Sequence, residues 1–281
     1  MKRSTILAML AMLAMLASAC GSNAEQTPLA IVANAHQAGT LAVGTQRVLV
    51  GIAEQDGLGF LGGEDVPVEF DFFYGDDPNQ EGQTVKGSFV WTVPEVRGLY
   101  RTTVTFDRPG TWGLVARLSG QPASGVTLFS VVSESPVPDV GDSAPEAVTP
   151  TGTEFALEDI SSDSAPDPRF YELSLDEAIR SGKPTVVVFA TPAFCTSATC
   201  GPTLDVVKSL AGGYPGVNFV HVEVYTNLTA QNPDDLQVVP AVEAWRLPSE
   251  PWVFVIDEAG YVSERFEGTL APEELQAALD R

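Results

Sequence analysis

The pattern of apolar residues changes once along this chain and divides it into two parts. From residue 28 to residue 135, short runs of β-branched and aromatic residues are separated by Gly, Pro, Asp and Asn. From residue 169 to residue 281, helical patterns alternate with strand patterns. Short strands between turn residues are typical of all-β domains, and helix–strand alternation is typical of α/β domains. The sequence therefore predicts a multi-domain chain, all-β first and α/β second.

Seven runs in the first part have the length and composition of strands. The run at 66–73 alternates apolar and polar residues, as a strand with one solvent-facing side does. Seven short strands within roughly a hundred residues suggest an antiparallel sandwich of the immunoglobulin type. The predicted strands cover residues 30–34, 47–53, 66–73, 88–93, 100–106, 111–118 and 126–132.

No catalytic cluster is evident in this first part, which has no cysteine after the leader and one histidine, His36. His36 is interpreted as a surface or turn residue. Trp91, Tyr100 and Trp112 are interpreted as core residues rather than as a ligand platform. The predicted sandwich is therefore a spacer or a module that docks a partner.

Residues 136–168 are rich in Pro, Ser and acidic residues. Segments of this composition bury too little apolar area to order themselves. We therefore expect a linker between the two predicted domains.

In the second part, residues 169–281, capping and terminating residues mark the ends of alternating helices and strands. A Ser cap and a terminating Gly bound the first helix, and Gly212 and Gly213 end the second. The predicted helices cover residues 174–182, 202–210 and 272–279, and the predicted strands cover 184–190, 217–225, 252–256 and 261–266.

Cys195 and Cys200 lie between the strand at 184–190 and the helix that follows. A helix N-terminus stabilises a thiolate, so a cysteine pair there indicates thiol redox chemistry. Residues five apart in a regular helix have Cα atoms roughly 8 Å apart, too far for a disulfide. Cys195 is therefore predicted to lie in the loop before the helix. We expect it to be the more exposed, attacking thiol and Cys200 to be shielded.

The first 19 residues have the features of a secretory signal, with Lys2 and Arg3 before a short apolar run. Small residues then precede Cys20, in an arrangement that resembles a bacterial lipobox. The resemblance implies lipidation of Cys20, a tether at 20–27, and attachment to the extracytoplasmic face of a cell membrane. The alternative is an ordinary cleaved signal followed by a chance cysteine.

The acidic composition excludes some partners. Removal of the signal with Lys2 and Arg3 lowers the 15 basic residues to 13 against 37 acidic ones, a formal charge of −24. Such a surface repels phosphate, so nucleic-acid binding is not expected. Two remaining cysteines and two distant histidines cannot form a zinc framework. No metal and no cofactor is predicted.

One set of features spans residues 169–281: the strand at 185–190, Phe194 before Cys195, Cys200-Gly201-Pro202, Pro251 before residues 252–257, Gly260 and Gly268. With these features, this part of the chain resembles the thioredoxin superfamily. That resemblance implies a cis peptide bond before Pro251, a proline beside the active cysteines, and exchange of disulfides with protein partners.

The chain also departs from the pattern of that superfamily. The usual Cys-x-x-Cys motif is absent, because Thr203 follows Cys200-Gly201-Pro202. The buried acid of many thioredoxins is also missing, so proton transfer to the buried thiol must use water or Glu250.

Four functions fit these residues. The leading prediction is an enzyme, a membrane-anchored thiol–disulfide oxidoreductase acting through Cys195 and Cys200. The second is a non-catalytic binding module with a structural disulfide. A peroxidase of the peroxiredoxin type fits less well, because Val188 and Pro192 occupy the places of its Pro and Thr and no suitable Arg is evident. Copper handling of the Sco type would require His221 as a ligand, and a histidine in a strand is more often a packed residue.

Overall fold

The computed structural model describes residues 29–33, 40–54, 60–119, 123–229 and 233–281. Seven strands form the N-terminal lobe, and every neighbouring pair is antiparallel. Each predicted strand overlaps one of them. The strands are β1 (Leu29–Ala33), β2 (Gly44–Glu54), β3 (Val68–Tyr74), β4 (Gly82–Val93), β5 (Arg97–Phe106), β6 (Gly110–Leu118) and β7 (Thr127–Val131).

The seven strands are hydrogen-bonded as one sheet, whereas the sequence predicted the two sheets of a sandwich. Their order is β1-β2-β5-β4-β3-β6-β7. The long strand β4 causes the difference, because residues 82–87 pair with β3 and residues 88–93 pair with β5. Side chains from both halves of this sheet pack into a single apolar core.

Aromatic side chains fill the core of the N-terminal lobe. The rings of Phe70 and Tyr100 meet edge to face with centroids 6.1 Å apart. Tyr100 and Trp112 are buried, which confirms their prediction as core residues. Trp91 differs, because it is only half-buried. Its indole nitrogen donates to Glu64 Oε1 at 2.6 Å, at the side where the two lobes meet.

The C-terminal lobe is built on a four-stranded sheet with the order β13-β12-β8-β9. β8 and β9 are parallel, and β12 is antiparallel to β8 and to β13. All six residues of β8 are buried, with α2 packed on one face of the sheet and α3 and α5 on the other. The elements are α1 (Leu157–Ile160), α2 (Leu175–Arg180), β8 (Thr185–Ala190), α3 (Cys200–Ala211), β9 (Asn218–Glu223), β10 (Tyr225–Thr226), β11 (Gln237–Val238), α4 (Pro240–Ala244), β12 (Trp252–Ile256), β13 (Val262–Glu267), α5 (Pro272–Leu279), and 3-10 turns at Pro168–Tyr171 and Pro233–Asp235.

Residues 136–168 are ordered on the C-terminal lobe, so the expectation that this segment cannot order itself is wrong. The amide of Gly141 donates to the carbonyl oxygen of Val262 at 2.8 Å, and the amide of Val262 donates to Asp142 at 2.9 Å. Val137 is fully buried in the core of that lobe. The order comes from docking on the C-terminal lobe, which for residues 141–144 takes place at the start of β13, and composition alone does not reveal it.

The contacts between the two lobes include an ion pair and a small apolar cluster. The guanidinium of Arg47 in β2 contacts both carboxylate oxygens of Glu274 in α5, at 2.7 and 2.9 Å. Leu49 and Val90 pack against Ala271 in a separate buried cluster. In the part of the chain that the structure describes, no helix is long and apolar enough to cross a lipid bilayer.

Candidate active site

The two cysteines lie where β8 ends and α3 begins. Residues 191–199 form the connecting loop, which contains Cys195, and Cys200 is the first residue of α3. This is the placement that the spacing of the cysteines predicted. Ala198 adopts a left-handed φ of 59°, and its amide donates to the carbonyl oxygen of Cys195 at 3.2 Å. The loop therefore turns back and brings Cys195 towards the start of α3.

Cys195 and Cys200 form a close pair with unequal exposure. Their sulfur atoms and a carboxylate oxygen of Glu250 all lie within 4.8 Å of one another. The amide of Cys200 donates to the Cys195 sulfur at 3.4 Å, and the hydroxyl of Ser197 lies 3.1 Å from that sulfur. Cys195 is half-buried and Cys200 is fully buried, the order of exposure that the sequence predicted.

The two thiols have opposite proton affinities. A hydrogen bond from the Cys200 thiol lowers the pKa of Cys195 to about 5, with further help from Ser197 and backbone amides and against the effect of burial. The same hydrogen bond and burial raise the pKa of Cys200 far above its ordinary value. At neutral pH the pair therefore holds one thiolate, on Cys195, and one thiol, on Cys200.

Glu250 supplies a carboxyl group next to both sulfurs. Its peptide bond to Pro251 is cis, and Pro251 is buried directly before β12. Burial, followed by repulsion from Cys195 and from Glu223, raises the pKa of Glu250 above its ordinary value. A carboxylate with increased proton affinity can accept a proton from a neighbouring thiol.

His221 does not join the two cysteines. Its Nδ1 lies 2.6 Å from the Tyr171 hydroxyl, and its Nε2 lies 3.0 Å from the carbonyl oxygen of Ala190. Burial lowers the pKa of His221. The prediction of a packed histidine is confirmed, and because both ring nitrogens have partners, the copper site with this histidine is not assembled.

Among the described residues, Cys195, Cys200 and Glu250 form a group of three donors that could hold a metal ion. Two thiolates and a carboxylate suit a thiophilic ion such as Zn²⁺ and would leave one coordination position open. Glu250 was expected near the buried thiol as a proton acceptor, through the resemblance, but a metal-binding group was not predicted from the sequence.

Two further side chains near the site were missed by sequence reasoning. Arg97, at the start of β5, donates to the carbonyl oxygen of Ser197 at 2.7 Å. The ring of Tyr225 meets that of Phe194 edge to face, with centroids 6.5 Å apart. Arg97 is separated from Ser197 by 100 positions. No local motif marks such a contact, so the sequence held no signal for it.

Four predicted features lie outside the described residues: the signal at 1–19, the lipidation site Cys20, the tether at 20–27 and the surface histidine His36. They remain predictions.

Comparisons with known proteins give distant structural similarity. No protein-family model matches the chain, and no curated protein matches it. A structure of a protein named as the thiol:disulfide interchange protein DsbE from Chlorobium tepidum is 19% identical, covers 50% of this chain and 99% of its own, and has a TM-score of 0.33. The Lin-41 filamin domain is 20% identical, covers 37% of this chain and 90% of its own, and has a TM-score of 0.23. At these scores neither similarity identifies a family.

Proposed function

We propose that this protein is a thiol–disulfide oxidoreductase that exchanges disulfides with partner proteins through Cys195 and Cys200. The observation that carries the proposal is the asymmetry of the pair. A half-buried Cys195 with a pKa of about 5 lies beside a buried Cys200 whose pKa is raised. A thiolate that solvent can reach is the nucleophile of disulfide exchange, and a protected second thiol resolves the intermediate.

The first step is attack by the Cys195 thiolate on a disulfide of the partner. The new bond joins Cys195 to one sulfur of the partner, and the other sulfur leaves as a thiolate. The half-buried position of Cys195 leaves part of its side chain open to a partner.

The second step releases the partner. The Cys200 thiol gives its proton to the carboxylate of Glu250, and the resulting thiolate attacks the Cys195 sulfur. The partner's second sulfur leaves as a thiolate, so the partner has gained two electrons. The proton held by Glu250 and one proton from solvent convert its two thiolates into thiols. The oxidoreductase now holds a Cys195–Cys200 disulfide, which an external dithiol must reduce before the next cycle.

The wider organisation is proposed on the same basis. Residues 169–281 form a thioredoxin-like domain, supported by the order of the four strands. Pro251, the neighbour of Glu250, is the proline of this domain that borders the thiol site. Residues 28–135 form a domain of immunoglobulin type, supported by its antiparallel strands. A lipid on Cys20 holds the protein on the extracytoplasmic face of the membrane.

Trapping of partners tests the exchange function. In a Cys200→Ser variant the mixed disulfide on Cys195 cannot be resolved, so a disulfide-bearing partner should accumulate as a covalent adduct that dithiothreitol releases. A Cys195→Ser variant is the matched control and should form no adduct. Equal labelling of both variants, or none of either, would contradict the proposal.

The reduction potential separates this function from the binding module with a structural disulfide. A structural disulfide is expected below about −300 mV, and a catalytic one above that value. A potential in the lower range would favour the binding module.

A further inference from the structure

A groove lies between the two lobes, next to α3. Its volume is about 650 Å³, within the range of roughly 300–1,000 Å³ that is usual for ligand sites. Apolar side chains line both of its walls. They are Phe89, Trp91 and Pro94 from the N-terminal lobe, and Pro202, Val206 and Leu270 from the C-terminal lobe.

The groove borders the first turn of α3, close to the thiol site. Pro202 lies in the first turn of α3, which begins at Cys200. Pro94 belongs to the turn between β4 and β5, and Arg97 at the end of that turn binds the carbonyl oxygen of Ser197 in the cysteine loop. One turn of the N-terminal lobe therefore forms part of the groove wall and also contacts the loop that carries Cys195.

The rim of the groove is acidic. Glu64, Asp205 and Glu273 are its charged lining residues, and no basic side chain lines it among the described residues. The side chains of Asp205 and Glu273 are largely exposed. Asp205 also contacts Lys208 at 3.6 Å and Glu273 contacts Arg101 at 2.9 Å, and neither of these basic residues lines the groove. The apolar walls can bind an apolar side chain, and the acidic residues can bind a neighbouring cationic side chain. The same acidic residues disfavour anionic ligands.

We propose that this groove binds the polypeptide partner of the thiol site. Its occupant is a segment with an aromatic or large aliphatic residue beside Lys or Arg, close in sequence to the cysteine under attack. The inference rests on the proposed disulfide exchange and assigns the choice of substrate to the N-terminal lobe. A second copy of this chain is a poor occupant, because its net charge of −22 is repelled by the rim.

Exchange kinetics with matched substrates test the groove. The substrates are a disulfide peptide with Lys-Phe beside the cysteine, the same peptide with Glu-Ser, and 2-hydroxyethyl disulfide. The wild-type protein should prefer the Lys-Phe peptide by about tenfold or more in kcat/KM. Trp91→Ala and Asp205→Lys should each remove most of this preference through KM, while the rate with 2-hydroxyethyl disulfide stays unchanged. Glu258→Lys, an equal charge reversal at an exposed site outside the groove, is the control and should behave as wild type.

The outcomes distinguish failure of the groove proposal from failure of the exchange function. Equal rates with both peptides would overturn the groove proposal while leaving the exchange function intact. An equal loss of rate with 2-hydroxyethyl disulfide in the groove variants would do the same. If no substrate reacts, the exchange function fails, and anisotropy of a labelled Lys-Phe peptide with the Cys195→Ser variant still tests the groove. Dimerisation that Trp91→Ala abolishes, measured by sedimentation, would assign the groove to a second copy and overturn the proposal.

Discussion

At the residue scale, one hydrogen bond gives two identical thiols different chemistry. Cys200 is the donor, so Cys195 is stabilised as the anion and Cys200 as the neutral thiol. The amide at the start of α3 adds a second donor to the Cys195 sulfur, at 3.4 Å. The site therefore holds its nucleophile ready at neutral pH without a histidine or a lysine.

The pH dependence of alkylation measures this effect. Only the thiolate reacts with iodoacetamide, so the rate at Cys195 should fall below pH 5 and be nearly constant above pH 6. Replacement of Cys200 by Ala removes the main donor and should move the inflection upwards, towards the ordinary cysteine value of about 8.5. Mass spectrometry of the reduced protein between pH 4 and pH 9 would locate both inflections. An inflection of the wild type near 8.5 would refute the assignment.

The role of Glu250 can be measured in the second step alone. In Glu250→Gln the proton acceptor beside Cys200 is lost, so release of thionitrobenzoate from a mixed disulfide on Cys195 should slow by about 100-fold. Formation of that mixed disulfide should not slow. Glu258→Gln, in the exposed turn after β12, is the control. Unchanged release in Glu250→Gln would mean that water, not this carboxyl group, takes the proton.

These residues differ in how well the sequence predicts them. The loop position of Cys195 follows from helix geometry, and the shielding of Cys200 follows from its place on α3. The position of Glu250 beside the buried thiol was expected only through the resemblance, and that of Arg97 was not expected because it depends on the packing of the other lobe. The positions of the two cysteines follow from local chain geometry, whereas contacts between residues distant in sequence require the tertiary structure.

At the element scale, the central strand and the helices beside it create the site. β8 is buried on both faces, so its sequence is a continuous run of mainly apolar residues. That run is the reason the strand was predicted. The helix after β8 was predicted from about residue 202 to residue 210. The helix begins two residues earlier, at Cys200. That difference puts the Cys200 amide, not only its thiol, within reach of Cys195.

The last helix, α5, stabilises this sheet through its buried face. Leu275 is fully buried in the core beside β8 and α3, whereas Gln276 is exposed. Leu275→Ala should lower the free energy of unfolding by about 2–5 kcal/mol because it leaves a cavity. Gln276→Ala should change it by no more than about 0.5 kcal/mol. Urea denaturation of both variants would test this, and similar midpoints would contradict the assigned packing.

At the scale of the whole molecule, the contacts between the lobes include an acid with an altered proton affinity. Thr40 donates to Glu267 Oε2 at 2.6 Å, and Ser249 donates to Oε1 at 2.9 Å. Burial nevertheless dominates and raises the pKa of Glu267 to about 7. The composition of the chain could not predict this contact, because it joins residues 227 positions apart.

The stability of the protein should therefore depend on the protonation of Glu267. The folded state binds this proton more tightly than the unfolded state, so the associated stability is complete below about pH 4 and is lost as the pH rises towards 7. Glu267→Gln should resist this loss, and its advantage over wild type should grow by on the order of 2 kcal/mol from pH 5 to pH 8. Urea denaturation across that range measures the difference. An advantage independent of pH would refute it.

The docking of residues 141–144 on β13 has a consequence for how this protein behaves among its own copies. An unpaired outer strand is a template on which a second polypeptide can extend a sheet, the usual first step of aggregation. Here Gly141 and Ala144 occupy those backbone groups, and Pro138 and Pro145 on either side have no amide hydrogen to offer an incoming chain. The proline-rich, acidic stretch therefore shields the beginning of the outer strand of the C-terminal lobe from pairing with another copy.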